Sequence, residues 1–359
     1  MIRSFVINKY LSKEFIKIVI NISLIFFALG FIMSLFEEIN FFKDYDVSID
    51  TPIKLALLYV PSLLNNFFPF VILFSGIWFF LKIKKTYELT AINTAGMSNF
   101  SVIIIPSIIS IVLGIIFITT INPITSSLIK KYETIRGGYE KDQDYLAAIT
   151  INGIWIKEKN HIIKSAYLQN ENLMEVTIYV LDEDNNFTKR IESASVNISS
   201  TNWILKQVKI IDSEGIVLSE NIKRATYKSS YDVKKIKSLY SNVDTISFWK
   251  LENEIKLYEE RGYSTKEMEI KLHKSFAFPF LLLSMFLLSS FFTLGTRLNE
   301  NNWTYLFLSI IASILIYFFN DFSAVLGKTE RLPIEIAVWM PTIIIFLFSF
   351  VGIIHANQK

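Results

Sequence analysis

The sequence predicts an α-helical membrane protein in which six transmembrane helices, three and three, flank an inserted β-rich domain on the outer side of the membrane. Three observations predict it. Apolar residues gather into six blocks long enough to cross a bilayer. Between the third and fourth blocks the pattern changes to the two-residue alternation of strands. Lysine and arginine favour one set of the short connecting segments.

The blocks are Phe15–Phe36, Ile53–Leu81, Phe100–Ile121, Phe276–Leu294, Trp303–Phe319 and Ile334–Ile354. Each approaches or exceeds the roughly 20 apolar residues that span about 30 Å of hydrocarbon. Composition alone would not decide the class. The chain has 359 residues, 52% of them hydrophobic, and a mean hydropathy of +0.39, not far from a soluble protein at about 45–50% apolar. The clustering decides it. Phe15–Phe36 is too long for the apolar region of a signal peptide, and no small-x-small cleavage site follows, so it is expected to remain as a signal anchor.

Six spans place both termini on one side, and positive charge marks the cytoplasmic one. Arg3, Lys9, Lys13, Lys17, Lys82, Lys84, Lys85, Arg297 and Lys359 fall on the side of the termini, against Lys43, Lys54, Lys328 and Arg331 opposite. Both termini are therefore expected in the cytoplasm, and residues 122–274 outside it. Lysines within that long segment do not count, because long domains translocate regardless of charge.

In the outer segment, Val176, Ile178 and Val180 alternate with Thr177, Tyr179 and Leu181, and Trp203–Ile211 behaves alike. Short strands separated by turn clusters at Asp182–Asn186 and Asp212–Gly215 suggest a sandwich or jelly roll. Helical spacing returns with Phe248, Leu251, Ile255 and Tyr258, and Gly262 ends it; Ser264 with Glu267 reads as a capping box for the next helix. Residues 1–121 hold the first three spans, with a short cytoplasmic helix at about 84–98. Residues 122–152 form a helical stalk and connection, 153–245 the β domain, 246–274 a helical connection, and 275–359 the last three spans. Asn320 and Asp321 read as the end of the fifth span.

Several function classes are disfavoured. A net charge of +3 gives no bulk attraction to nucleic acid, and the absence of cysteine removes thiolate chemistry. The three histidines, His161, His273 and His355, lie too far apart to suggest a metal site. Gly327-Lys328-Thr329 matches only the tail of a phosphate-binding loop, and Phe322 stands where its first glycine belongs. The chain is therefore not expected to hydrolyse ATP. An integral membrane enzyme would need a cluster of acid, base and nucleophile that is not visible. A membrane sensor or scaffold with an outer β binding domain would need a cytoplasmic output domain, and the cytoplasmic segments are short. Transport gains support from Pro61, Asn65, Asn66 and Pro69 in the second span, since polar groups at membrane depth belong against protein or a water-filled cavity.

The segment between the second and third spans is patterned like a helix rather than a bare turn. Tyr87-Glu88-Leu89, Ala91 and Ala95-Gly96-Met97-Ser98 resemble the coupling helix of the lipopolysaccharide-transport permeases LptF and LptG. Gly153-Ile154-Trp155-Ile156-Lys157, Ile178-Tyr179-Val180 and Leu332-Pro333 with Ala337-Val338-Trp339-Met340-Pro341 look more like the LptG branch. The resemblance covers nearly the whole chain and implies a periplasmic β-jellyroll between the two sets of spans. It implies an inner-membrane subunit of an ABC exporter, paired with an LptF-like permease. An LptB-like ATPase dimer and an LptC-like single-span jellyroll protein complete the assembly, with lipopolysaccharide as substrate and no cofactor on this chain. Glu88, with Tyr87, Leu89, Ala95 and Gly96, would couple the permease to the ATPase. Lys130, Lys131 and Arg136 would meet lipid head groups. The outer end of the first span departs from the family's basic pattern, with Met33, Ser34, Glu37 and Glu38. Two readings stay open there: a different head group, or a divalent cation bridging acid to phosphate. Ile178, Val180 and Trp203 would line an acyl-chain path, or else form ordinary β-domain core.

Overall fold

The computed structural model describes residues 2–139, 145–150, 153–158, 160–169, 171–182, 186–229, 231, 242–260, 265–294 and 302–357. Asp184, Gly262, Ser264, Arg297 and Asn299 lie outside them, and so does the Ser264 half of the expected capping box. The chain forms two compact units. One comprises Met1–Tyr132, Asp244–Glu252 and Lys266–Lys359; the other comprises Glu133–Val243 and Asn253–Thr265.

The first unit is the helical bundle. Helices α1 (Ile2–Phe41), α2 (Asp50–Lys85), α3 (Glu88–Thr94) and α4 (Asn99–Ile116) are followed by a π-helical turn, Phe117–Ile121, and α5 (Asn122–Tyr139). After the β insertion come α6 (Phe248–Glu260), α7 (Lys266–Leu294), α8 (Asn302–Lys328) and α9 (Ile334–Asn357). Among the described residues, six helical stretches are long and apolar enough to cross a membrane. Those of α2 and α7 are the most buried, and those of α1 and α8 the least. The core is aromatic. The Phe15 ring meets Phe79 and Phe286 edge-on at 5.7 and 5.1 Å, and Phe68 stacks on Phe117. Prolines 61 and 69 lie inside α2. A proline removes a backbone donor and strains the preceding turn; neighbouring helices allow membrane spans to tolerate it.

The π turn has a visible consequence. It releases backbone carbonyls from the regular ladder, and the Trp249 indole N–H donates to the Thr119 carbonyl at 3.0 Å. One residue beyond the turn, the Asn122 side-chain oxygen accepts from the Phe248 backbone N–H at 2.8 Å and caps α6. The third span and α6 are thus tied together by two polar contacts.

Helix α8 runs on past Asn320 and Asp321 to Lys328. The expected break is absent because the Asn320 amide donates back to the Ile316 carbonyl within the helix, at 3.0 Å. Farther along, Ala324 packs with Ile270, Ala277 and Val338. The end of α8 is pinned by Lys328 to Glu267, while Lys266 pairs with Glu330 just beyond it.

The second unit is built on one antiparallel sheet of strands β1 (Tyr145–Thr150), β2 (Gly153–Glu158), β3 (His161–Ser165), β4 (Tyr167–Gln169), β5 (Asn172–Leu181), β6 (Phe187–Asn197), β7 (Asn202–Asp212) and β8 (Val217–Lys228). The order is β1-β2-β3-β5-β6-β7-β8, with β4 pairing a second stretch of β5. The first strand thus precedes Gly153, in the stretch expected to be stalk and connection. The expected jellyroll takes the form of a meander that curls on itself. Although β2 and β8 sit far apart in strand order, the Ser229 hydroxyl, just after β8, donates to Glu158 at the end of β2 at 2.7 Å. The His161 ring on β3 meets the Tyr227 ring on β8 edge-on at 5.6 Å. Curling explains how one sheet encloses a core, since successive residues of a strand point to opposite faces. Ile154, Ile163, Leu173, Ile178, Val196 and Trp203 fall in a single buried cluster.

Candidate functional site

At the end of the bundle that carries α3, the chain from Lys82 to Ser101 is held in a set geometry. Thr86 and Tyr87 donate their N–H groups to the Lys82 and Lys84 carbonyls, which closes α2. Tyr87 adopts a left-handed conformation with φ 58° and starts α3. A side-chain-bearing residue in that region costs about 1–2 kcal/mol, and the bend it gives separates α3 from the line of α2. Gly96, with φ 89°, ends α3. Its N–H bonds the Asn93 carbonyl and the Met97 N–H bonds the Ile92 carbonyl, the two bonds of a Schellman stop. Ser98 then caps α4 by accepting from the Ser101 N–H at 3.3 Å, and Asn93 donates to Asn99 at 3.0 Å.

Helix α3 has two faces. Leu89 and Ile92 are buried in the bundle core, while Thr90, Ala91, Asn93, Thr94, Ala95 and Gly96 are exposed. Leu89 therefore seats the helix, and a docking partner would meet Tyr87, Glu88, Ala95 and Gly96. Tyr87 is 66% exposed, and Glu88 is half-buried at the first turn of α3, where a carboxylate suits the helix dipole. Three side-chain contacts fix this region to the bundle. The Tyr10 hydroxyl on α1 donates to Glu88 Oε2 at 2.9 Å. Lys82 pairs with Glu14 on α1. Lys84 donates to the Thr293 carbonyl in the last turn of α7, where a cation complements the exposed carbonyls of a helix C-terminus. Tyr10 is the residue that reasoning from sequence missed. Its one linear signal is that Tyr10 and Glu14 share a face of α1, one turn apart.

At the opposite end of the bundle, Lys130 and Lys131 on α5 are exposed; Arg136, farther along α5 in the second unit, is half-buried. Of the residues that depart from the basic pattern, Met33 and Glu37 face outward while Ser34 and Glu38 are buried. Glu38 accepts a hydrogen bond from the Tyr132 hydroxyl at 2.7 Å, and the Tyr132 ring stacks on Tyr59. Glu38 therefore belongs to the packing between spans and leaves Glu37 as the outward acid. Among the described residues, no group of three His, Asp or Glu side chains could hold a metal ion.

In the β unit, Ile178 and Trp203 are fully enclosed and Val180 is half-buried. The Trp203 indole N–H donates to the Tyr231 carbonyl at 2.7 Å. Burial pushes the Tyr227 hydroxyl above its ordinary pKa and His161 below its own, and the Glu158 carboxylate raises both. The trough is thus closed around its apolar lining by Glu158, His161, Ser229 and Tyr227. Ile178 and Trp203 serve as core in this closed form, and Val180 lies nearer its rim.

Three spans, an inserted antiparallel sheet and three further spans define a polytopic membrane protein with a β domain inserted between its third and fourth spans. The chain belongs to the lipopolysaccharide export system permease family LptF/LptG, whose profile matches residues 9–355. It is also similar to the lipopolysaccharide export system permease protein LptG of Haemophilus influenzae, at 20% identity over 338 residues, which cover 90% of each chain.

Proposed function

We propose that the chain is the LptG-type permease subunit of an ABC exporter that extracts lipopolysaccharide from the inner membrane and passes it to a periplasmic bridge toward the outer membrane. It pairs with an LptF-like permease, binds an LptB-like ATPase dimer through α3, and works with an LptC-like single-span jellyroll protein. ATP is hydrolysed in the partner subunit. The observation that carries this reading is the construction of the α3 segment. Two helix caps, a left-handed tyrosine and three side-chain ties hold a seven-residue helix, with one face seated and the other presented. A connector between spans has no need of such scaffolding. Lys130, Lys131 and Arg136 receive the anionic head group, and the curled sheet opens to pass acyl chains over Ile178, Val180 and Trp203. Asn66, exposed on α2, faces the shared cavity, where an amide finds water instead of hydrocarbon.

This reading requires α3 in the cytoplasm and the β unit in the periplasm. Reporter fusions at Ala95 and Asn299 are expected to read cytoplasmic, and a fusion at Asp184 periplasmic. The charge bias of the short segments motivates the expectation. A periplasmic signal from Ala95 would place α3 out of reach of any ATPase and overturn the proposal.

A further inference from the structure

The bond between Tyr10 and Glu88 joins residues 78 positions apart at the rim of the bundle. Tyr10 is 43% exposed, so the pair lies where a docking protein can reach it. Its placement is set by the packing around it. The next residue, Leu11, and Phe15 are fully enclosed, and Glu14, one turn along α1 from Tyr10, is paired with Lys82 at the end of α2. The phenol is therefore a fixed donor, and it engages one carboxylate oxygen of a side chain that is otherwise long and rotatable.

We propose that Tyr10 is a positioning residue for Glu88, orienting the carboxylate so that Oε1 receives a cationic group of the docked ATPase while Oε2 stays on the phenol. The inference rests on the coupling reading of α3 and adds to it a residue outside the α3 segment. Its physical basis is preorganisation. A glutamate free to rotate loses side-chain entropy when it docks, and a group already held in its bound orientation loses less. A phenol also suits the task chemically. It donates to the carboxylate without neutralising it, so the charge that attracts an arginine or lysine is preserved. A lysine in its place would compete with the partner's cation.

The test is a double-mutant cycle on the full-length permease pair in nanodiscs, titrated with the purified ATPase subunit of the same export system. Tyr10→Phe keeps the ring and removes the hydroxyl. It is expected to weaken ATPase binding several-fold, up to about tenfold, the ordering cost of one rotatable side chain at an interface, while the thermal midpoint of the permease falls by no more than a few degrees. In a Glu88→Ala background, which leaves no acceptor for the phenol, the same change is expected to add nothing, because Tyr10 acts through the carboxylate. Equal weakening in both backgrounds would overturn the proposal, since Tyr10 would then touch the ATPase or seat α3 independently. Tighter binding by Tyr10→Phe would also overturn it, by showing that the phenol masks the acid. So would an unchanged affinity beside a large loss from Glu88→Ala, and each of these three results leaves the coupling reading standing. If Glu88→Ala itself leaves ATPase binding intact, the coupling reading fails, and the Tyr10 proposal fails with it.

Discussion

A Glu88→Lys chain is expected to insert and accumulate normally yet to support no lipopolysaccharide export. Glu88 is half-buried on the surface of α3, and surface substitutions usually change stability by less than about 0.5 kcal/mol. Loss of the Tyr10 bond adds a modest amount, about 1 kcal/mol. The buried anchors Leu89 and Ile92 are untouched, so α3 should keep its seat. At a docked interface the same carboxylate would pair with a cation of the ATPase, and removing one member of a buried charge pair costs roughly 2–5 kcal/mol. Lysine goes further, because it sets like charges against each other. In a strain with no other copy, export and growth should both fail while the protein remains detectable in the membrane. Glu88→Ala should fall between wild type and Glu88→Lys. Normal growth and normal export by Glu88→Lys would sink the coupling role.

The second large effect is expected inside the bundle, at the crossing of α2 and α7. A Cβ at Gly76 would lie 1.9 Å from Ser289 Oγ, 2.7 Å from its Cβ and 3.1 Å from a ring carbon of Phe286. Ser289 cannot step aside, since it is fully enclosed and donates to the Phe286 carbonyl at 2.6 Å. Small residues let membrane helices approach closely, and packing is a main source of their association. Gly76→Val should therefore force α2 and α7 apart. Overpacking of this kind typically costs about 1–3 kcal/mol, and the two helices with the most buried spans leave little room to relax. The expected result is a lower thermal midpoint in detergent and reduced accumulation. Gly76→Ala should be milder, and Ser289→Gly should partly rescue it by vacating the space. A Gly76→Val chain as stable as wild type would mean that this crossing is looser than the structure shows.

The spans were legible in the sequence because length and apolar continuity are local properties. Their ends were not. Helix α1 begins at Ile2, well before the apolar block at Phe15, because Leu11 is packed inside the bundle. Helix α8 passes through Asn320 and Asp321 because an amide can satisfy itself on its own helix. In the β unit, alternation put Ile178 and Val180 on one face, and Ile178 is enclosed while Val180 is half-buried, yet nothing local says that the sheet curls far enough to join Glu158 to Ser229. The α3 segment stood out by its pattern, and Gly96 is where a left-handed stop is required. Two facts about the sites were beyond any linear reading. Glu38 turns inward to Tyr132, which removes it from the outer surface where a cation would bind. Tyr10 reaches Glu88 with most of the first span and all of the second between them in the chain. Both are pairings between distant helices, set by how the bundle packs.

The proposed function has ATP binding and hydrolysis in a partner, transmitted through α3, drive lipopolysaccharide through this chain's β unit. It is tested most directly by placing a photo-crosslinking amino acid at Val180, with a second variant at the more enclosed Ile178. The permease pair and its ATPase would be reconstituted with lipopolysaccharide in proteoliposomes. Lipid adducts at these positions should form with ATP, should be absent without ATP or without the ATPase, and should vanish when Glu88→Lys is combined with the crosslinker. Adducts that form equally without ATP, or that survive Glu88→Lys undiminished, would contradict the account.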